Sequence, residues 1–230
     1  RDEIVVCERA LRDGVVVDLA QRDRALSDRF GDARARRLDA VEKMASRYEH
    51  LGGHQRLVAR LALELFERLA PLHGLPPADR DLLWAAAMLH GIGRFVAESS
   101  HHKHAAYLIR NTPLEGWRDD EREIVAQVAR YYRKTMPRPT HPEFMALTPP
   151  ERRRVEMLAG LLRIADGLDV RHLGTVTEVA AVQQSGRVLI TAQAEGDVTG
   201  ELGKAMERAD LFERTFGVRV AVEALEGARA

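Results

Sequence analysis

The sequence predicts a mainly α protein in which a helical bundle is followed by a small β-β-α-β subdomain. Apolar residues recur at helical spacing between residues 54 and 168, and the pattern changes to alternation after Gly174. Clusters of Gly and Pro separate the periodic segments. With 230 residues, 45% of them hydrophobic, the chain can bury a sizeable core.

The composition limits the classes of partner. The 35 basic and 35 acidic residues balance, so the whole chain has no charge-driven affinity for nucleic acid or an anionic membrane. The single Cys7 excludes an intramolecular disulfide and a cysteine zinc cluster, and no apolar run approaches the roughly 18 residues of a membrane span. We therefore expect a cytoplasmic protein with no membrane or nucleic-acid partner. Because the chain begins with Arg1 and not with Met, we expect a processed product or a piece of a longer protein.

The first 40 residues predict little independent structure. Ile4-Val5-Val6 predicts a short strand, and residues 10–19 predict a turn into a short helix or a second strand. From Gln21 to Arg37 the sequence is rich in Arg, Asp and Ala, which is typical of an exposed helix or a linker. We therefore expect a domain boundary near residue 40.

Two amphipathic helices come next. Residues 54–70 have an apolar face and predict a helix with His54 in its first turn. A break at Pro71–Pro77 precedes a second helix over 79–90, which ends at His90. We expect Gly91 or Gly93 to supply a left-handed cap at the end of this helix.

Three further helices complete the predicted bundle. The first runs from about His101 to Arg110, and the second begins at Asp119 and has Arg133 and Lys134 at its end. Thr148-Pro149-Pro150-Glu151 has the pattern of a capping box, and the helix that it opens should reach about Leu168.

The C-terminal segment predicts the small subdomain. Residues 176–182 and 188–192 alternate as strands do and are joined by a hairpin turn at 184–187. An amphipathic helix over 197–212 and a strand over 218–222 follow. We expect a helical domain over residues 41–173 and a small α/β subdomain over residues 174–230.

Two histidines and one aspartate are candidate metal ligands. His54, His90 and Asp166 come from three different predicted helices, and two imidazoles with one carboxylate can bind Zn²⁺, Mn²⁺ or Fe²⁺. Asp166 lies near the end of an apolar helix, where its charge opposes the dipole and needs a partner. The alternative is that the histidines cap or pack helices and that Asp166 pairs with Arg163 or Arg171.

A second set of residues is basic and can bind phosphate. Guanidinium groups bind phosphate oxygens at two points, so a concave surface lined by them is an anion site. The alternative is a solvated face with ordinary ion pairs to Asp119, Asp120 and Glu123. The basic candidates are His101, His102, Lys103, His104, Arg110, Arg130, Arg133, Lys134 and Arg138.

Four motifs in this order resemble one family. They are Leu89-His90-Gly91-Ile92-Gly93, His101-His102-Lys103-His104, Ala129-Arg130-Tyr131-Tyr132-Arg133-Lys134 and Leu162-Arg163-Ile164-Ala165-Asp166-Gly167-Leu168-Asp169. The sequence is similar to the C-terminal half of the exopolyphosphatase/guanosine pentaphosphate phosphohydrolase family, from roughly His50 to the C-terminus. Residues 1–40 then resemble the remnant of an actin-like domain with a linker.

The resemblance implies a helical bundle like that of the HD-domain phosphohydrolases. In that superfamily a first histidine, a His-Asp pair and a distant aspartate hold one or two metal ions, and these positions fall on His54, His90 with Gly91, and Asp166. Gly91 stands where the aspartate of the pair would be and cannot ligate a metal, so the resemblance implies one divalent ion at most. The family's catalytic glutamate belongs to the actin-like domains, so no catalytic residue is assigned to this chain.

The resemblance leads to one main hypothesis and two alternatives. The main hypothesis is an accessory region that binds polyphosphate or guanosine polyphosphate while an actin-like phosphatase domain hydrolyses it. Its phosphate contacts are Lys103, His104, Arg130, Arg133 and Lys134. The first alternative is a self-sufficient metal-dependent phosphohydrolase that uses His54, His90 and Asp166. The second is a non-catalytic homodimerisation or docking module.

Overall fold

The computed structural model describes residues 24–48 and 53–225. The strand expected at Ile4–Val6, Cys7 and the actin-like remnant over residues 1–19 lie outside the described residues. Within the described ranges, no helix is both long enough and apolar enough to cross a membrane.

The architecture confirms the predicted fold class, with helices first and a small sheet after them. The helices of the first part are α1 (Arg24–Arg47), α2 (His54–Arg68), α3 (Ala70–His73), α4 (Asp79–Leu89), α5 (His101–Asn111), α6 (Asp119–Tyr131), α7 (Pro142–Met145) and α8 (Pro149–Gly167). A short 3₁₀ helix over Ile92–Phe95 connects α4 to α5. The second part consists of β1 (Val176–Gln184), β2 (Arg187–Ala194), α9 (Thr199–Arg208), α10 (Asp210–Phe216) and β3 (Arg219–Ala224).

Several local predictions need correction. Of the two alternatives for residues 21–37, an exposed helix or a linker, the helix is confirmed: residues from Arg24 onward belong to α1, which runs through the boundary expected near residue 40 without a break. The single helix expected over 197–212 is two helices, with Ala209 between them. Neither Gly91 nor Gly93 forms a left-handed cap, since Gly91 has φ −89° and Gly93 lies inside the 3₁₀ helix. A side chain at Gly93 would overlap the backbone of His101 and Ala105, so this glycine allows the 3₁₀ helix to approach α5.

Helix α8 is the centre of the fold. It begins at a capping box, as the sequence predicts: Thr148 Oγ1 accepts a hydrogen bond from the Glu151 amide, and the Glu151 carboxylate accepts one from the Thr148 amide at 2.8 Å. Its buried face contacts α2, α4, α6, α9 and α10. Because helices from both parts pack on α8, the bundle and the C-terminal subdomain share one core.

The sheet has the order β1-β2-β3, with β1 antiparallel and β3 parallel to β2. A parallel connection requires a crossover, and α9 with α10 supply it. The outer edge of β1 is bound by polar side chains of α2. Glu64 accepts a hydrogen bond from the Val179 amide at 2.8 Å, and Arg60 donates one to the Thr177 carbonyl.

Two glycines of α8 allow the crossover helices to approach closely. A Cβ atom at Gly160 would lie 3.1 Å from the Cα of Phe212 on α10. A Cβ atom at Gly167 would lie 2.6 Å from the Cα of Ala205 on α9, a distance that the backbones would have to increase. Gly167 therefore sets the separation of α8 and α9. The point of contact on α9 is Ala205, which lies one turn before Arg208 at the end of that helix.

We expect Gly167→Ala to destabilise the fold by about 1–3 kcal/mol, because the added methyl group forces the two helix backbones apart. The matched control is Gly203→Ala in α9. Gly203 is exposed with nothing within 4 Å of an added Cβ, so this change should stabilise by about 0.5–1 kcal/mol through helix propensity. Urea denaturation followed by circular dichroism measures both. Equal effects of the two substitutions would contradict the close approach.

Candidate functional site

The structure brings His54, His90 and Asp166 together in the core. His54 is the first residue of α2, His90 follows the last residue of α4, and Asp166 lies near the end of α8. Their relative exposures are 5%, 2% and 6%. One ligand atom of each lies within 4.8 Å of the others, and both imidazole Nε2 atoms face Asp166 Oδ1, at 3.3 Å from His54 and 3.4 Å from His90.

The other nitrogen of each imidazole is held by an acceptor. His54 Nδ1 donates to Asp169 Oδ2 at 2.7 Å, and His90 Nδ1 donates to the Ala87 carbonyl at 2.6 Å. Asp169 is itself positioned by the Gly174 amide, which donates to its second oxygen at 2.9 Å. A carboxylate or carbonyl that holds one imidazole nitrogen fixes the tautomer and directs the other nitrogen toward a metal.

These hydrogen bonds decide what the cluster can bind. When the imidazoles are neutral and both Nδ1 atoms donate, each Nε2 directs a lone pair toward the carboxylate of Asp166. Either a proton on Nε2 or a metal ion can then lie between these groups. Two imidazoles and one carboxylate suit Zn²⁺, Mn²⁺ or Fe²⁺. The donor set therefore fits a single divalent ion.

The same arrangement explains the titration of the cluster. Burial by itself would lower the pKa of His54, but hydrogen bonds to Asp166 and Asp169 outweigh it and raise the pKa above its ordinary value. Burial opposes ionisation of Asp166, yet hydrogen bonds from His54 and His90 hold its pKa well below the usual range. A metal ion must displace a proton from His54, so metal binding and protonation compete.

The alternative pairing expected for Asp166 is wrong. Arg163 pairs with Asp210 at 2.7 Å and Arg171 pairs with Glu201 at 2.6 Å, so neither contacts Asp166. The arginine that contacts Asp166 Oδ2 is Arg208 from α9. The two oxygens of the Asp166 carboxylate thus have different partners: Oδ1 faces the two imidazoles, and Oδ2 contacts the guanidinium of Arg208.

A pocket of about 270 Å³ opens beside this cluster. Asp166 lies in its wall, and its remaining lining is mostly basic and aromatic. The lining residues are Arg94, Glu98, Tyr132, Arg133, Asp166, Val170, His172 and Arg208. Three guanidinium groups against two carboxylates give the lining a net positive charge.

Arg133 carries a charge without an acidic partner. In the part of the chain that the structure describes, it forms no ion pair, and its Nε atom is buried without a hydrogen-bond partner. Its Nη1 donates to His101 Nε2 at 3.0 Å, and the hydroxyl oxygen of Tyr132 lies 2.6 Å from the same nitrogen. Burial and then the positive charges of Arg133 and Arg94 lower the pKa of His101, so this imidazole stays a neutral acceptor.

Arg94 is only weakly paired. Its Nε atom is also buried without a hydrogen-bond partner among the described residues, and Glu98 lies 3.7 Å away. The side chain of Glu98 is 77% exposed, so solvent screens this contact. His172 completes the wall by stacking on the ring of His54, with centroids 3.7 Å apart.

The structure separates the five predicted phosphate contacts. Arg133 lines the pocket, whereas Lys103 and Lys134 are exposed on the surface beside it. They lie near His102, whose pKa is lowered to about 4, first by burial and then by the charges of His101, Arg133, Lys103 and Lys134. Arg130 instead faces Glu143 at 3.9 Å, and His104 is half-buried on α5.

Sequence reasoning missed four residues of the site. Asp169 had a signal, because it lies three residues after Asp166 in the same motif and can reach the same imidazole. Neither the hydrophobic periodicity nor the charge pattern of the sequence could have identified Arg94, His172 and Arg208 as residues of the site. Arg208 lies 42 positions from Asp166 in another subdomain, and only the packing of α9 on α8 brings it to the carboxylate.

Comparison with known proteins gives one family match. The family model described as "Ppx/GppA phosphatase, domain III" matches residues 36–192, which include the histidine–aspartate cluster. Arg208 lies beyond the matched residues.

Curated relatives agree with this match. A protein of Vibrio vulnificus named guanosine-5'-triphosphate,3'-diphosphate pyrophosphatase is 29% identical over 85% of this chain and 35% of its own length. A protein of the same name from Pseudoalteromonas translucida is 32% identical over 55% of this chain and 24% of its own length. The chain thus spans about a quarter to a third of the length of these relatives.

Asp169→Asn tests the metal centre through the residue that positions His54. Asparagine can keep the hydrogen bond from Gly174, but its NH₂ group faces His54 Nδ1 and favours the tautomer with a proton on Nε2, which blocks ligation. We expect Mn²⁺ or Zn²⁺ affinity to fall by roughly 10–100-fold in isothermal titration calorimetry. The matched control is Asp197→Asn, an exposed aspartate that bonds only to its own turn and to Arg171. Unchanged metal affinity in Asp169→Asn would show that the imidazoles are not ligands.

Proposed function

The chain belongs to the Ppx/GppA phosphatase family, and from that premise we propose that it is the accessory region that binds guanosine polyphosphate or inorganic polyphosphate. An actin-like phosphatase domain elsewhere in the parent protein would then hydrolyse the bound ligand. In this proposal residues 41–173 form a helical binding domain of the HD type and residues 174–230 form a subdomain packed on it.

The observation that carries this proposal is the half-buried guanidinium of Arg133, whose buried Nε atom has no acceptor and which has no acidic partner among the described residues. Burying a guanidinium nitrogen without an acceptor is unfavourable, and a ligand that supplies an acceptor and a negative charge would offset this cost. With Arg94 and Arg208 in the same pocket, the group of opposite charge that fits best is a phosphate, which guanidinium forks bind at two oxygens.

The surface beside the pocket supports a ligand with several phosphates. Lys103 and Lys134 add exposed positive charge next to the pocket, and His104 and Arg130 lie on the adjoining helices. The relatives are named for a guanosine polyphosphate, which is one such ligand. Linear polyphosphate is the other, because a row of lysines and arginines binds phosphate chains as point charges without reading a base.

A second function is favoured by the His54–His90–Asp166 cluster. A divalent ion on this donor set would supply Lewis acidity toward a phosphate oxygen, which is the chemistry of metal-dependent phosphohydrolases. The chain's own residues would position the phosphate through Arg94, Arg133 and Arg208. Gly91 counts against this function, since it provides no carboxylate for a second metal ion.

Arg133→Ala tests the leading proposal. We expect it to weaken binding of guanosine pentaphosphate and of polyphosphate by roughly ten-fold or more, because it removes a charge-assisted contact. Wild-type binding should weaken with added NaCl. Fluorescence anisotropy in the presence of EDTA measures both effects. The matched control is Arg187→Ala, an exposed arginine at the start of β2, which should bind as the wild type does. If the two variants bind equally well, the proposal is wrong.

A hydrolysis assay separates the two functions. The accessory role predicts that the isolated chain, loaded with Mn²⁺ or Zn²⁺, releases no phosphate from guanosine pentaphosphate or polyphosphate above the blank. Phosphate release that is lost in His90→Ala, with its metal affinity lost in parallel, would establish the phosphohydrolase instead. His73→Ala is the control, because His73 is also buried but bonds to Phe66 and Leu75 outside the cluster.

A further inference from the structure

Asp166 is shared between two kinds of cation. Its Oδ1 atom faces the Nε2 atoms of His54 and His90, where a divalent ion fits, and its Oδ2 atom is bound by the guanidinium of Arg208. At Gly91 the chain has no side chain that can bind a second ion. The positive charge on the second oxygen of Asp166 is therefore supplied by the protein.

We propose that Arg208 takes the place of a second cation, so that the pocket binds the dianionic terminal phosphate of its ligand between one divalent ion and three arginines. The ion would be held by His54, His90 and Asp166, and the arginines are Arg94, Arg133 and Arg208. This inference rests on the proposed function and specifies which part of the ligand the pocket receives.

The charge of the pocket favours a dianion. Three guanidinium groups face one buried carboxylate, Asp166, and one exposed carboxylate, Glu98. A divalent ion on Asp166 raises the net positive charge further. An internal phosphate of a chain carries one charge, whereas a terminal phosphate near neutral pH carries nearly two and has three free oxygens, which matches a metal ion on one side and guanidinium forks on the other.

The position of Arg208 is set by packing. Its side chain is only 15% exposed, and the residue ends α9 one turn after Ala205, where α9 touches α8 at Gly167. Its backbone carbonyl accepts a hydrogen bond from the buried Arg163 at 3.2 Å. The backbone of Arg208 is thus held in place by the packing of α9 on α8, independently of the contact between its side chain and Asp166.

The shared carboxylate makes two binding events interdependent. A phosphate that contacts both the ion and Arg208 should bind more tightly when the ion is present, and the ion should bind more tightly when phosphate is present, by the same factor.

The test uses the full chain, stripped with EDTA, and titrates Mn²⁺ and then orthophosphate by isothermal titration calorimetry. Tripolyphosphate and GTP serve as ligands that present a terminal phosphate from two sources, and dimethyl phosphate serves as a monoanion.

We expect one Mn²⁺ per chain, and orthophosphate affinity that rises at least several-fold when Mn²⁺ is bound. Arg208→Ala should lower the orthophosphate affinity of the Mn²⁺-loaded chain roughly 10–100-fold without lowering its Mn²⁺ affinity, because Asp166 loses a competing cation. Arg208→Lys, which keeps the charge but not the fork, should recover part of the loss. Arg214→Ala, an exposed arginine of α10 paired with Glu156 at 3.5 Å, is the matched control and should bind as the wild type does. Circular dichroism verifies that each variant folds.

Three results would overturn the inference. They are two Mn²⁺ per wild-type chain, equal orthophosphate affinity in Arg208→Ala and Arg214→Ala, and dimethyl phosphate binding as tight as that of orthophosphate. Any of them leaves the proposed function standing if polyphosphate still depends on Arg133 in EDTA. The proposed function fails separately, if Arg133→Ala and Arg187→Ala bind polyphosphate equally. Tighter binding of GTP than of tripolyphosphate identifies a nucleotide as the source of the terminal phosphate, and the reverse identifies polyphosphate.

Discussion

The burial of the Asp166 carboxylate is the constraint on which the site depends. An ionised carboxylate in a protein core is stable only if donors or cations surround it, and here they come from three elements. The imidazoles arrive from the start of α2 and the end of α4, and the guanidinium of Arg208 arrives from the end of α9. The packing of the C-terminal subdomain on the bundle must therefore bring these groups within a few ångströms of the carboxylate.

The sequence contained much of the fold but only part of the site. Helical spacing, the capping box at Thr148 and the alternation after Gly174 identified the elements, because those patterns are local. His54, His90 and Asp166 could be grouped by residue type and motif position. Arg208 and His172 could not, because their roles come from contacts between elements distant in sequence, and the same limit made the pairing expected for Asp166 wrong.

The arginines of the pocket are poorly explained by stability alone. Among the described residues, the buried Arg163 pairs with Asp210, and the half-buried Arg154 pairs with the buried Asp79. Arg94 and Arg133 instead have buried Nε atoms without acceptors. Proteins often depart from full hydrogen-bond satisfaction at functional sites, and this contrast within one molecule is what supports the proposed role of Arg94 and Arg133 in ligand binding.

The polar side chains of α2 along β1 have a consequence for how the protein behaves at high concentration. An open strand edge offers free amides and carbonyls to any passing chain and is a common start of aggregation. Here Glu64 and Arg60 occupy the Val179 amide and the Thr177 carbonyl, so a foreign strand would have to displace a helix before it could pair. The helix that carries His54 thereby also protects the β1 edge of the three-stranded sheet.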